Sequence, residues 1–401
     1  MKRIAAMVLE EPYRVFFPLG MVAGIWGVMM WPLLYAGRLG FYPGEAHSRI
    51  MIEGFMGAFV VGFVGTAFPR LTGNRHWFGG EFLSLLGLWL LAVGSHSLGH
   101  VAAGDAAFSA MLVALFFGML ERWVRGNKDT PPPGFVLLLA GVVGGAISAG
   151  ALSQIGGLTL SATQYQAAKI FLSQGFLLLP LMGIGPFLLP RFFGAKSLHA
   201  FDDSSGVPAG WWPRAIGAMI AGLLVIVSFA VEIHGEPMFG HLLRALTIGG
   251  WFIKETTVFQ RGKLSSTPGN SVRWALVGLI SGCTAAAFWP AARVGTLHLF
   301  FAAGLGLVTL AVATRVILGH AGRHELLTGK IVWLRWVTGL LVLAAITRLT
   351  ADFIPSVRVS HHIYAAWSWA IGCVIWLIAL SKYLFQTEER PPSNCPRRRP
   401  R

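Results

Sequence analysis

Charge is what this sequence has little of. Only 12% of its 401 residues are Asp, Glu, Lys or Arg, while 55% are hydrophobic and the mean hydropathy is +0.64. Soluble domains carry about a quarter charged residues. A soluble core of this length cannot hide so much apolar surface, so lipid is the solvent that fits. Cysteine is scarce too: Cys283, Cys373 and Cys395 form no CxxC pair. That excludes a disulfide framework, a zinc knuckle and a c-type haem attachment. There is no Walker motif, no nucleotide fingerprint after a strand and no specific Ser-His-Asp arrangement. The first apolar stretch lacks a small-residue cleavage site and reads as a retained helix.

What is abundant agrees with this. Aromatic residues make up 12%, including 15 Trp and 28 Phe, as suits interfacial belts. Apolar segments of spanning length recur at 15–37, 48–68, 80–102, 105–123, 134–154, 165–189, 213–233, 238–258, 271–290, 294–318, 331–350 and 360–384. Lys169 and Gln174 interrupt the sixth, Arg244 and Lys254 the eighth. The expected fold is all-α, a polytopic membrane protein of about twelve transmembrane helices. One transmembrane domain, 1–386, is followed by a Pro/Arg-rich disordered cytoplasmic tail, 387–401. The fifty glycines, among them Gly54, Gly57, Gly62 and Gly65, suit close helix packing.

The net charge of +15 is read as membrane topology, not as affinity for nucleic acid. With the N-terminus inside, 25 Lys and Arg fall on the inner side, among them Arg70, Arg75, Arg122, Arg125, Lys128, Arg191, Lys196, Arg261, Lys263, Arg323 and Lys330. Seven fall outside or in outer halves: Arg38, Arg49, Lys169, Arg244, Arg293, Arg348 and Arg358. Both termini are thus expected in the cytoplasm. The second, sixth and tenth segments end in basic turns with Gly and then His. The final histidines, His76, His199 and His324, lie 123 and 125 residues apart. This spacing suggests three units of four helices.

The same topology sorts the twelve histidines. His76, His199, His320 and His324 fall inside; His47, His96, His100, His234, His241, His298, His361 and His362 fall outside or in outer helix halves. Imidazole is the commonest metal ligand and also binds haem iron or copper. His96 and His100, four apart on one helical segment, can share an ion. His47 and His298, at similar depth on the second and tenth segments, suit two axial ligands of one haem. His361 and His362 open the last segment, but adjacent side chains point about 100° apart. Set against this is the plain reading of each histidine as a polar cap. Glu53 is expected to pair with Lys169 or Arg244, or to carry protons. Arg315 and Arg348 are expected to bridge to backbone carbonyls or to haem propionates.

Two stretches carry a family resemblance. One runs His47-Ser48-Arg49-Ile50-Met51, Gly54-Phe55, Gly62-Phe63 and Thr66-Ala67-Phe68-Pro69-Arg70-Leu71-Thr72-Gly73. The other runs Leu297-His298, Gly304-Leu305-Gly306, Thr309-Leu310-Ala311 and Thr314-Arg315-Val316-Ile317-Leu318-Gly319-His320-Ala321-Gly322-Arg323. In these the chain resembles the NnrS family, with a weaker echo at Gly183–Pro190. The resemblance implies a haem- and copper-containing protein of the bacterial cytoplasmic membrane, linked to nitric oxide and denitrification. It implies haem b and copper, with His47, His298, Arg315 and His320 toward the cofactor. His96, His100, His241, His361 and His362 are the further metal candidates. Arg49 and Ile50 stand where the family has a second His and a Glu, and Pro186 stands for an Arg, which marks a divergent member. A more distant likeness to the large subunit of haem–copper oxidases extends to architecture alone.

The leading expectation is a haem-binding and copper-binding membrane protein that handles or senses nitric oxide or related redox species. If catalytic, it is a haem/copper oxidoreductase, with a protein or quinone as electron donor. Two alternatives stay open: an ion-coupled secondary transporter, and a metal-free structural subunit of a redox complex.

Overall fold

The computed structural model describes residues 2–126, 129–202, 206–260 and 265–386. The expected tail at 387–401, with Cys395, and the cations Lys128, Arg261 and Lys263 lie outside the described residues. Among the described residues there are fourteen helices and no strand. They are α1 (Lys2–Glu10), α2 (Tyr13–Tyr35), α3 (Gly44–Leu71), α4 (Gly79–Ser97), α5 (Val101–Val124), α6 (Phe135–Ser153) and α7 (Ala162–Phe193). Then follow α8 (Trp211–Ile233), α9 (Pro237–Glu255), α10 (Thr267–Phe288), α11 (Pro290–His320), α12 (His324–Thr328), α13 (Val332–Phe353) and α14 (Pro355–Ser381).

Ten of these are long and apolar enough to cross a membrane, and this is a multi-pass membrane protein. α4 and α9, 19 residues each, occupy the third and eighth expected segments and are more polar. The sixth segment, despite Lys169 and Gln174, is the longest helix at 32 residues. Outward-facing Leu90, Leu91, Ile220, Leu223, Leu246 and Ile378 are exposed, as a lipid-facing surface requires. Inside, small residues let backbones close up. A Cβ on Gly134 would lie 1.9 Å from the Gly183 carbonyl oxygen, so α6 and α7 meet there only as glycines.

The chain crosses back and forth, so both described ends lie on one face, here the termini face; the other is the distal face. Arg14 at the start of α2 donates to the Leu384 carbonyl just after α14. Glu11 ties this face together. It accepts from Arg14 Nε at 2.7 Å, pairs with Arg70 near the end of α3, and lies 2.7 Å from His320 Nδ1 at the end of α11.

α3, α7 and α11 share an irregularity. Each holds a π-helical stretch in its distal half: Ile50–Met56, Phe171–Gly175 and Leu299–Gly306. Each ends at a glycine in the left-handed conformation: Gly73 (φ 62°), Gly194 (φ 66°) and Gly322 (φ 70°). From Ile50 to Gly73, from Phe171 to Gly194 and from Leu299 to Gly322 the spacing is the same 23 residues. The three expected units therefore appear in the backbone, in a register set by π start and terminal glycine. π stretches cluster at functional sites because the extra residue per turn re-aims side chains. Toward the termini face the same three helices surround an apolar cavity of about 110 Å³, lined by Phe59, Phe63, Leu181, Leu188 and Val312.

Burial opposes the charge of Glu11, but the His320 bond and the Arg14 and Arg70 charges outweigh it and hold its carboxyl at about 2. A depressed carboxylate stabilises the fold above its ordinary value of 4.5, and that stabilisation is lost as pH falls toward 2. Glu11→Gln should lower the thermal midpoint in detergent at pH 7 and flatten its decline below pH 4.5. Identical pH profiles for the two proteins would contradict this.

Candidate functional site

The distal face carries three polar clusters, one per four-helix unit. The helices preceding the last of each unit, α4, α8 and α13, place an ionisable residue at their penultimate position: His96, Glu232 and Asp352. Each organises a cluster.

In the first unit, His96 Nε2 lies 2.8 Å from Glu53 Oε2 on α3 and 3.9 Å from Asp105 Oδ1 on α5. Arg49, one turn before Glu53, donates from Nε to Asp105 Oδ1 at 2.7 Å and lies 3.6 Å from Glu53 Oε1. All four side chains are buried. The ring of His96 fits because residue 104 is glycine: a Cβ there would lie 2.2 Å from its Cε1. Glu53 Oε1 and His96 Nδ1 take part in no hydrogen bond.

In the second unit, Arg244 on α9 is fully buried. Its guanidinium donates to Glu232 (2.6 Å), Gln174 (2.7 Å) and Ser228 (3.1 Å), and lies over the Phe229 ring. His241 Nδ1 is 3.3 Å away. Glu232 also pairs with Arg293 on α11.

The third cluster joins His298 (α11) and His362 (α14) of the third unit with His47 (α3) of the first, near enough to interact electrostatically. His47 Nδ1 bonds to the Gly27 carbonyl at 2.8 Å and His298 Nδ1 to the Val294 carbonyl at 2.7 Å. His362 Nδ1 meets the Tyr35 hydroxyl at 2.7 Å, and its buried Nε2 has no partner. The rings of His47 and His362 both stand edge-on to Trp31, at 5.9 and 5.2 Å. Arg348 interacts electrostatically with all three histidines. Asp352 holds Arg348 (2.6 Å) and accepts from the Gly295 amide at the start of α11 (2.6 Å). Imidazoles anchored at Nδ1 on backbone carbonyls, with Nε2 left over, have the form of metal ligands fixed by their outer partners.

The other expected site residues separate from these. His361 Nδ1 turns to the Val357 carbonyl at 3.1 Å, and His241 belongs to the Arg244 cluster. His100 does not join His96: α4 ends at Ser97, Gly99 is left-handed, and His100 lies exposed in the turn. Arg315 and His320 sit on the termini-face half of α11, 17 and 22 residues beyond His298, about 25 and 33 Å along a helix. Arg315 lies over the Phe192 ring, 5.0 Å from its centroid, and His320 is held by Glu11. The pairing expected for Glu53 is also corrected: Lys169 takes Glu45 (2.6 Å), Arg244 takes Glu232, and Glu53 takes His96 and Arg49. Arg348 bridges to Asp352, not to a backbone carbonyl. Arg49 as a partner was visible as an i, i+4 pair with Glu53; Asp105, Tyr35 and Trp31 carried no such signal.

This geometry defines a class: an all-helical, multi-pass membrane protein that gathers imidazoles from separate helices at one face. The model of the NnrS protein family matches residues 7–387, and the chain belongs to that family. It is thus a membrane protein of the NnrS type, linked to the nitric oxide response. No curated protein matches the chain.

Removing one partner of a buried ion pair strands the other charge, which costs about 3–5 kcal/mol. Arg244→Met should lower unfolding stability in mixed micelles by an amount in that range. The double variant Arg244→Met/Glu232→Met should regain part of the loss. Strictly additive losses would contradict a coupled pair.

Proposed function

We propose that this chain is a haem-binding redox membrane protein of the NnrS type, acting on or sensing nitric oxide or a related species, with haem b held by His47 and His298. The observation that carries the reading is that these two imidazoles, from α3 and α11, interact electrostatically with each other and with Arg348, while each is tied at Nδ1 to a carbonyl. The donor set fits the group. Two imidazole nitrogens from different helices would suit haem iron, and Trp31 would give an aromatic wall. Arg348, held by Asp352, supplies the positive charge that a carboxylate-bearing cofactor calls for. When bound, haem would supply one-electron chemistry.

The chain's own residues set the conditions. The carbonyls of Gly27 and Val294 fix the tautomer and aim of the two rings. His362, hydrogen-bonded to Tyr35, stands beside them as a third imidazole and a route for protons to the distal surface. The Lys and Arg distribution supports a cytoplasmic termini face, which puts this site near the outer surface of the bacterial cytoplasmic membrane. Electrons come from a protein or quinone donor.

Protein purified from haem-replete cells should show a Soret band and about one iron per chain. His47→Ala and His298→Ala should each shift or abolish the band, while His361→Ala should leave it. A colourless, iron-free wild type would overturn the reading. Retained fold with lost ion-coupled uptake in the double variant would favour a transporter.

A further inference from the structure

The first and second clusters occupy equivalent places in the repeat. In each, the penultimate residue of one helix (His96, Glu232) meets the fifth residue of the next (Asp105, His241), and that residue follows a glycine (Gly104, Gly240). In both cases a Cβ on the glycine would strike the partner side chain, at 2.2 Å from His96 and 2.8 Å from Glu232. One histidine and one carboxylate are therefore packed into the same slot, with their order exchanged.

The two clusters differ in what neutralises them. In the second, Glu232 faces two guanidiniums, Arg244 and Arg293, and Arg244 fills the centre. In the first, the residue equivalent to Arg244 is Phe108, and two carboxylates, Glu53 and Asp105, share one guanidinium, Arg49. Glu45 lies 3.7 Å from Arg49 but is half exposed and paired with Lys169. The buried centre is one positive charge short, in a place where an uncompensated carboxylate is expensive.

From this we infer that Glu53, His96 and Asp105 form a second metal site, for a divalent ion of the zinc or ferrous class. The three donor atoms lie within 4.8 Å of one another and all three residues are buried. Bond lengths of about 2.1 Å to nitrogen and oxygen in a tetrahedron put donors about 3.4 Å apart. The two separations at His96 Nε2, 2.8 and 3.9 Å, bracket that value. Glu53 Oε1, fully buried and without a hydrogen bond, supplies a further donor lone pair within the cluster. One imidazole and two carboxylates, with no sulfur, select a borderline to hard cation over Cu(I). Arg49 competes with the ion for both carboxylates, and Glu45 offers its guanidinium an alternative partner toward the distal surface. The site does not depend on the haem reading.

The test is zinc titration of the detergent-solubilised full chain against a chromophoric chelator, with zinc counted per chain. Wild type should bind one tight equivalent. His96→Gln and Asp105→Asn should weaken it at least a hundredfold, and the double variant His47→Ala/His298→Ala should keep it. Arg49→Gln should tighten it at least tenfold, an effect that a purely structural ion-pair cluster does not produce. Should the ligand variants fail to fold, zinc K-edge absorption of the His47→Ala/His298→Ala protein still decides, since one imidazole among oxygen donors is expected. No tight site in wild type, equal uptake in His96→Gln, or a zinc shell of several imidazoles would each overturn the inference. The first outcome would mean that a proton shared by the two carboxylates supplies the missing charge.

Discussion

In hydrocarbon an ionised side chain has no water to answer it, so it must meet its counter-charge inside the protein or stay neutral. That constraint organises this molecule. Its spanning helices are almost free of charge, and the groups that remain are gathered at the two faces. On the termini face Glu11 joins α2, α3 and α11 through Arg14, Arg70 and His320. On the distal face Arg244, Arg49 and Arg348 each hold an acid donated by another turn or helix. Between the faces the bundle relies on apolar packing and on glycine contacts such as Gly134 against Gly183.

The distal clusters follow one plan three times over. A π stretch in the second helix of each unit re-aims its side chains, and the third helix closes with an ionisable residue. From that plan each unit has gone its own way. Glu53, His96 and Asp105 leave an acidic pocket short of one positive charge. Arg244 turns the second into a closed ion-pair lock. In the third, Asp352 engages Arg348 and the start of α11, and the imidazoles of His47, His298 and His362 remain with nitrogens to spare. Ligand chemistry fits the first and third units, and rigidity fits the second.

Much of this was legible in the sequence, because lipid leaves few choices. Spanning segments announce themselves by length and hydropathy, and the segment count follows the helices even where Lys169 or Arg244 interrupts them. The similar depth of His47 and His298 on the distal face was legible for the same reason, since topology fixes depth. Depth is not direction, however, and here sequence reasoning ran out. His100 shares a face with His96 only while the helix continues, and the left-handed Gly99 ends it first. Arg315 and His320 match the family pattern of α11, yet the rise of the helix carries them to the opposite face from His298. Glu53 pairs with Arg49 one turn away, not with the distant cations Lys169 or Arg244. Asp105 needed the fold, because only the packing of α5 against α4 brings it to His96.

The central claim is that α3 and α11 each contribute one imidazole to a shared iron. Pulsed electron paramagnetic resonance of the oxidised protein, with histidine labelled by nitrogen-15, reads this most directly. The account predicts a low-spin ferric centre coupled to two histidine nitrogens, one of which disappears when residue 298 is changed to alanine. A centre whose couplings survive that change, or a preparation with no ferric signal, would contradict it.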